Sequence, residues 1–531
     1  MSAAEAAAGN RNAQEATPPE QAGPAFATLL EELHRLSDLG KAAGLLSWDR
    51  EVNMPRGGAR DRIHQMTTLS KLLFELRTSD ELGQQLEQAE REQAGADPDS
   101  FVGALLRIAR RDFDDARLLN VDFVTRSSRI SGEAHQAWVE ARDNQDFAAF
   151  QPHLEQVVDL GREMAELYGH DGVAYDALLD RFERGTTTAE VARLFAETKA
   201  IIVPLRQAIE DRGVEIDDSI LYRTYDVERQ KQYVRHIAEA AGYDFDRGHV
   251  GTAVHPFASS FGQGDCRITT RYYPEFINPA VFGTLHECGH ALYEMGTDPT
   301  FARTPLARGT SSGIHESQSR MIENGVGRSL AFWQAHYPHL QATFSEALGD
   351  VSVTDFHRAI NKVQASLIRV EADELTYNLH IILRFEIEQA LISGDLQVAD
   401  LPTAWKDKMR ELLGIVPPND AEGVLQDVHW TGPSFGYFPT YALGNLYAAQ
   451  LLEAARAQSP AVGEDLARGS TAGLLTWLRE NVHRHGRVHL PAELCRRATG
   501  RPLDVGAFDR YVNDKFGALY GLRRAEGVLE V

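Results

Sequence analysis

Two histidines four residues apart flank a glutamate in the run His286-Glu287-Cys288-Gly289-His290. On a helix, positions i and i+4 stand one above the other, so both imidazoles can close on a single ion. Glu287, beside the first ligand, can reach a water on that ion without binding the ion itself. A divalent cation lowers the pKa of such a water toward about 7, and a nearby carboxylate can then take its proton for attack on a carbonyl. Catalytic zinc needs three protein ligands and one open position. The run Gly313-Ile-His-Glu-Ser-Gln-Ser319 offers Glu316 as the third, giving a His, His, Glu set, with His315 as its rival. Met295-Gly-Thr does not supply the third histidine of an HExxHxxGxxH motif. Cys288 points elsewhere on the helix and is not read as a ligand. The plain alternative is a helix whose histidines merely cap a core. A purely structural zinc site, however, is closed by four protein ligands and needs no base, and Glu287 is intact.

Other residues admit two readings each. Asp265 can accept a hydrogen bond from a metal-bound imidazole, or it can be a turn residue after Gly264. Arg267, Arg271 and Arg369 can hold an acidic ligand group in the bidentate way lysine cannot, or they can be structural ion pairs. Arg369 is the first candidate for a substrate α-carboxylate, on a helix oriented by Ile368, Ala372, Leu375 and Leu379. His429, Tyr437 and Tyr441 lie close in sequence and can donate hydrogen bonds to a developing oxyanion, or pack. His483, His485 and His489 have interleaved arginines and no carboxylate at matching spacing, which favours a surface loop over a second metal cluster.

These groups need a scaffold. The chain has 531 residues, 43% apolar and 25% charged, with a formal net charge of −23. That balance is of an ordinary globular protein, and the acidity, without a basic stripe, argues against nucleic acid or an anionic membrane as partner. No apolar run of about 18 residues is present for a membrane span. Residues 1–25, rich in Ala, Glu, Gln and Pro, read as a disordered tail, and 26–531 as one large helical domain. Phe26, Leu29, Leu30, Leu33 and Leu36 mark one helix face, and Ile63, Met66, Leu69, Leu72, Leu73 and Leu76 another after the turn at Met54–Gly58. Helices are expected over 279–295, with Asn278 as cap and Pro279 in the first turn, and over about 311–330 and about 355–393. Arg267–Tyr272 reads as a strand of a small inserted sheet. Three widely separated cysteines without a CxxC predict no disulfide framework and a cytoplasmic setting.

Six motifs in order then carry a resemblance: His255-Pro-Phe257, Asp265-Cys-Arg-Ile-Thr269, His286-Glu-Cys-Gly-His290, His315-Glu-Ser-Gln-Ser319, Ile368-Arg-Val-Glu-Ala-Asp373 and Gly423-Val-Leu-Gln-Asp-Val-His-Trp430. The set resembles that of the carboxypeptidase Taq family of metallocarboxypeptidases, and the likeness runs over nearly all the chain after the tail. The resemblance implies a mainly α, saddle-like fold with a deep groove and a small β-sheet beside the metal, a homodimer, and Zn2+ or Co2+ as the ion. Carried over by motif, His286, His290 and Glu316 are the metal ligands and Glu287 the general base. His255 joins Arg267, Arg271 and Arg369 as substrate-binding candidates. The expected activity is release of single C-terminal residues from peptides. A metal-dependent oligopeptidase and a catalytically inactive helical scaffold are the rival readings.

Overall fold

A computed structural model describes residues 23–525 and 528–530. Of the tail expected at 1–25, residues 1–22 lie outside the described residues, and Pro24 already opens the first helix, Pro24–Val52. Proline suits that place because the first helical N–H has no acceptor. The helix buries Phe26, Leu29, Leu30, Leu33 and Leu36, the stripe its spacing predicts. It turns through Arg56–Gly58 into the helix Ala59–Arg77.

The apolar residues gather in two clusters. The smaller joins the N-terminal helices, with Leu82, Leu86, Leu105 and Phe113 packed on Phe26 and Leu29, and is tied to the remainder through Phe301, Leu306 and Val488. The larger fills the body of the molecule. At its centre the helices Tyr377–Ser393 and Pro439–Gln458 are buried on nearly every face. A helix apolar all round has no solvent side and belongs at a core's middle. Between the two clusters runs a groove of about 2330 Å³, lined from both sides, with His286, Glu287, His290 and Glu316 on its wall. A pocket for one small ligand measures roughly 300–1,000 Å³, so this one has room for a chain.

The small sheet holds β1 (Val250–Thr252), β3 (Asp265–Thr270) and β2 (Ala258–Gly262) in that order, β1 parallel and β2 antiparallel to β3. It packs against the helix Asn278–Gly296, which carries the His pair. The strand expected at 267–272 is thus found two residues earlier.

Four local expectations need correction. Asn278 does not cap its helix: Ile277 precedes the first turn, no side chain caps it, and the Asn278 Oδ1 is buried without a partner among the described residues. The stretch 311–330 is an α-helix, Ser312–Arg320, running into a π-helical turn, Met321–Val326. The stretch 355–393 is broken, with helices Val353–Ile360 and Tyr377–Ser393 and only a 3-10 turn at Arg369–Glu371 between them. There Asp373 accepts from the backbone N–H of Gln364 (3.2 Å), Leu375 (2.9 Å) and Thr376 (3.0 Å), a local bonding pattern that competes with helix. The histidines near the C-terminus are no surface loop: His483 and His489 are buried, and His483 Nε2 meets Gln318 Oε1 at 2.9 Å beneath the Glu316 helix.

Candidate metal centre and active site

The helices Asn278–Gly296 and Ser312–Arg320 cross closely because the first has only Gly289 where it meets the backbone of the second. A methyl group on Gly289 would run into the Gln318 carbonyl and stand 2.5 Å from Ser319 Cα. On the other side, a methyl group on Gly444 of the helix Pro439–Gln458 would stand 2.5 Å from Glu316 Cγ. Glycine permits backbones to approach to this degree.

The crossing brings one ligand atom each from His286, His290 and Glu316 within 4.8 Å of one another. Glu316 Oε2 lies 3.6 Å from His286 Nε2 and 3.4 Å from His290 Nε2. Ligands about 2.0–2.1 Å from a tetrahedral ion stand about 3.3 Å apart, so the three atoms fit such an ion with little movement. His315 is not part of this set. Its Nδ1 sits 2.6 Å from His290 Nδ1, behind the ligand, and its Nε2 lies 3.0 Å from Glu294 Oε1.

Both ligand rings are therefore held from behind. His286 Nδ1 lies 2.9 Å from Glu323 Oε2 on the π turn, and His290 leans on His315 and through it on Glu294. This leaves each Nε2 free to bind, the usual device that fixes tautomer and ring orientation. Asp265, the residue weighed for this purpose, is elsewhere: its carboxylate takes a two-pronged bond from Arg267 at 2.7 and 2.8 Å. Glu323 and Glu294 escaped the sequence reading. The signal for Glu323 was there, since Glu316, Arg320 and Glu323 recur at helical spacing on one face.

The electrostatics suit a cation. Burial opposes the charge of Glu316, yet Arg320, His286 and His290 outweigh it and hold the carboxyl well below the usual range. Arg320 Nε donates to Glu316 Oε1 at 2.7 Å and Ser319 Oγ donates to Oε2 at 3.0 Å. Glu323 is held at about 2 against burial, by Arg320 and His286 first. Burial pushes His290 down to about 4, so its ring is neutral and able to ligate. For His286 burial acts downward but Glu316 and Glu323 outweigh it, lifting the pKa. A cation takes the place of that proton. Glu287 is buried, 6% exposed, and lines the groove next to the ligands. Burial, then Glu316 and Glu323, push its carboxyl up to about 7 against the pull of His286.

Facing this set are Tyr437 and Tyr441, both lining the groove, with ring centroids 5.1 Å apart. His429 Nε2 lies 3.5 Å from the Tyr441 hydroxyl. Burial pushes His429 down to about 4 and raises both tyrosines, so all three are neutral. The loop that carries them is anchored by buried Glu388, which accepts from Trp430 Nε1 (2.8 Å), Gly436 N (3.0 Å) and Tyr175 Oη (2.7 Å).

The four substrate-binding candidates do not line the groove. Arg369 is buried, its Nε 3.1 Å from Asp427 Oδ1 and its Nη1 donating to the Tyr377 hydroxyl at 3.1 Å. Arg384 holds the other oxygen of Asp427 at 2.5–2.6 Å. Arg267 is spent on Asp265 and stacks over Trp48, Arg271 lies over the Tyr273 ring, and His255 is exposed between β1 and β2.

Comparison with known proteins agrees with this geometry. A family model described as carboxypeptidase Taq (M32) metallopeptidase matches residues 28–516. The chain is 42% identical to thermostable carboxypeptidase 1 of Thermus thermophilus over 94% of its own length and 99% of that protein. It is 39% identical to carboxypeptidase 1 of Bacillus subtilis, over 92% of this chain and 97% of the relative. Among solved structures, the M32 carboxypeptidase of Deinococcus radiodurans superposes with a TM-score of 0.91 at 40% identity, covering 94% of this chain and 100% of that one. The Glu-bearing His pair, its carboxylate partner and the groove they face thus belong to a chain of the carboxypeptidase Taq (M32) metallopeptidase family.

Proposed function

We propose that this metallocarboxypeptidase hydrolyses the last peptide bond of its substrates with His286, His290 and Glu316 as metal ligands and Glu287 as general base. The observation that carries the reading is the convergence of the three ligand atoms within 4.8 Å on the groove wall, with Glu287 beside them. A divalent cation held there supplies Lewis-acid polarisation of the scissile carbonyl and makes water easier to deprotonate. Glu287 takes the proton of the attacking water and returns it to the leaving amine. Tyr437, Tyr441 and His429, neutral and able to donate, steady the carbonyl oxygen as it gains charge. Arg369 is a positioning residue: it holds Asp427 and Tyr377 and stacks under Tyr441, 5.3 Å from the ring centroid.

Zinc is the ion that best suits two imidazoles, one carboxylate and an open fourth position, with cobalt able to replace it. No helix among the described residues is long and apolar enough to cross a membrane. With three buried, unpaired thiols, we place the protein in the cytoplasm, and as a homodimer on family resemblance. The test is product analysis: one unmodified peptide, incubated with metal-loaded protein and followed by mass spectrometry, loses single residues stepwise from its C-terminus. Internal fragments favour the oligopeptidase reading, and an unchanged peptide the inactive scaffold. Metal analysis with zinc or cobalt reloading, and sedimentation of the purified protein, check the ion and the dimer.

A further inference from the structure

A carboxypeptidase has to distinguish a chain end from an internal bond, and the charged α-carboxylate is the feature that differs. The arginines expected to read it do not line the groove. Among the cations that do line it are three that stand in no ion pair among the described residues: Lys41 on the first helix, Arg77 at the end of the second, and Arg308 in the loop leading to the Glu316 helix. A methyl group on Gly40 would stand 3.5 Å from Arg77 Nη2, so that guanidinium lies one residue from Lys41. Lys41 Nζ donates to Ser260 O on β2 at 2.6 Å. Gly309, next to Arg308, gives its N–H to Glu294 Oε1 at 3.3 Å, the carboxylate that also holds His315 behind His290. Arg308 therefore leaves the backbone on the His290 side of the metal ligands.

Arg308 repels both Lys41 and Arg77, and among the described residues none of the three stands in an ion pair. Burial lowers the pKa of Lys41 and Arg77, and Arg308 adds to both shifts, while Glu294 works against the shift at Lys41 and Asp112 against that at Arg77. The nearby acids are engaged elsewhere: Asp38 with Arg303, Asp112 with Arg487, and Glu294 with His315. Unpaired like charges gathered in a recess of a chain with net charge −23 focus their field on an incoming anion.

We propose that Lys41, Arg77 and Arg308 form a subsite that takes a carboxylate of the peptide, the α-carboxylate of its last residue. The inference rests on the carboxypeptidase reading, and its test is kept apart from catalysis by measuring binding. Metal-loaded Glu287→Gln protein is titrated calorimetrically with a short peptide of neutral side chains as the free acid, with its C-terminal amide, and with the same amide carrying one Glu side chain. Adding Arg308→Gln or Arg77→Gln weakens the free acid roughly 10-fold or more, as expected for a charge-assisted bond, and leaves the neutral amide within about twofold. Arg308→Lys restores most of the loss, because it keeps the charge. Arg303→Gln, in the same groove but paired with Asp38, changes neither peptide. Weakening confined to the Glu-bearing amide overturns the α-carboxylate assignment and gives the subsite to an acidic side chain instead. Equal affinities of parent and both Gln variants for all three peptides overturn the proposal. Product analysis of the unsubstituted enzyme, read separately, reports on the hydrolytic reading itself.

Discussion

Glu323 gives the most direct test of how the metal site is held. Its carboxylate lies 2.9 Å from His286 Nδ1, and Arg320 and Arg328 approach it at 3.3 and 3.4 Å. Glu323→Gln keeps an oxygen that can accept from the imidazole but loses the charge. A hydrogen bond to a charged partner is worth about 1.5–3 kcal/mol against about 1 for a neutral one. The difference, about 0.5–2 kcal/mol, is roughly a 2- to 30-fold loss in metal affinity. Glu323→Ala removes the bond and leaves two arginines short of a partner, so its loss reaches about 100-fold, the upper end for a group that orients a metal ligand. At saturating metal both variants retain turnover, since the three ligands and Glu287 are untouched. Chelator competition gives the affinities, and initial rates at high metal give turnover. Metal binding as tight as the parent's in both variants would refute the reasoning. So would a larger loss for Gln than for Ala, or a collapse of turnover at full metal occupancy.

Glu287→Gln keeps one metal per chain but loses activity by about 10²–10⁴ or more, whereas Glu316→Ala loses the metal; metal analysis beside rate measurement separates the two. If Glu316→Ala binds metal normally, the ligand assignment fails. Gly289→Ala forces apart the backbones of the two ligand-bearing helices, at about 1–3 kcal/mol of stability, and weakens metal binding as well, read by thermal unfolding and chelator competition. Buried Glu388, its carboxyl pushed up to about 7 by burial, contributes stability that is present in acid and lost as pH rises through that value. The melting-temperature advantage of the parent over Glu388→Gln therefore shrinks between about pH 5 and 8, and an advantage that grows with pH contradicts the assignment.

The cluster of His286, His290 and Glu316 was legible because it is written in local spacing: the two histidines at i and i+4, and the glutamate on the next helix. The six ordered motifs carried the family and, with it, the helical fold and its inserted sheet. What stayed hidden depends on contacts between distant segments. Asp265 could be named as an acid near the site, but only folding shows it on Arg267 while Glu323 reaches His286. Arg369 carried the right charge for a carboxylate, yet Asp427, fifty-eight positions on, claims it. The break near Asp373 was missed because that side chain takes the amides a helix would have used, while the flanking apolar residues keep helical spacing. The buried His483 looked polar enough for a surface until Gln318 supplied its partner.

The glycine-lined crossings also bear on the order of events when the chain folds. His286 and His290 share one helix and can meet an ion early, but Glu316 reaches them only once Gly289 has met the Gln318–Ser319 backbone and Gly444 has met Glu316. Those contacts join Asn278–Gly296 and Ser312–Arg320, neighbours in the chain, to Pro439–Gln458, which lies far from both. Loops of that length close late, after local helices have formed. Tight, three-ligand metal uptake is thus a clock for completed assembly: in refolding from denaturant it trails the recovery of helix and coincides with the return of activity.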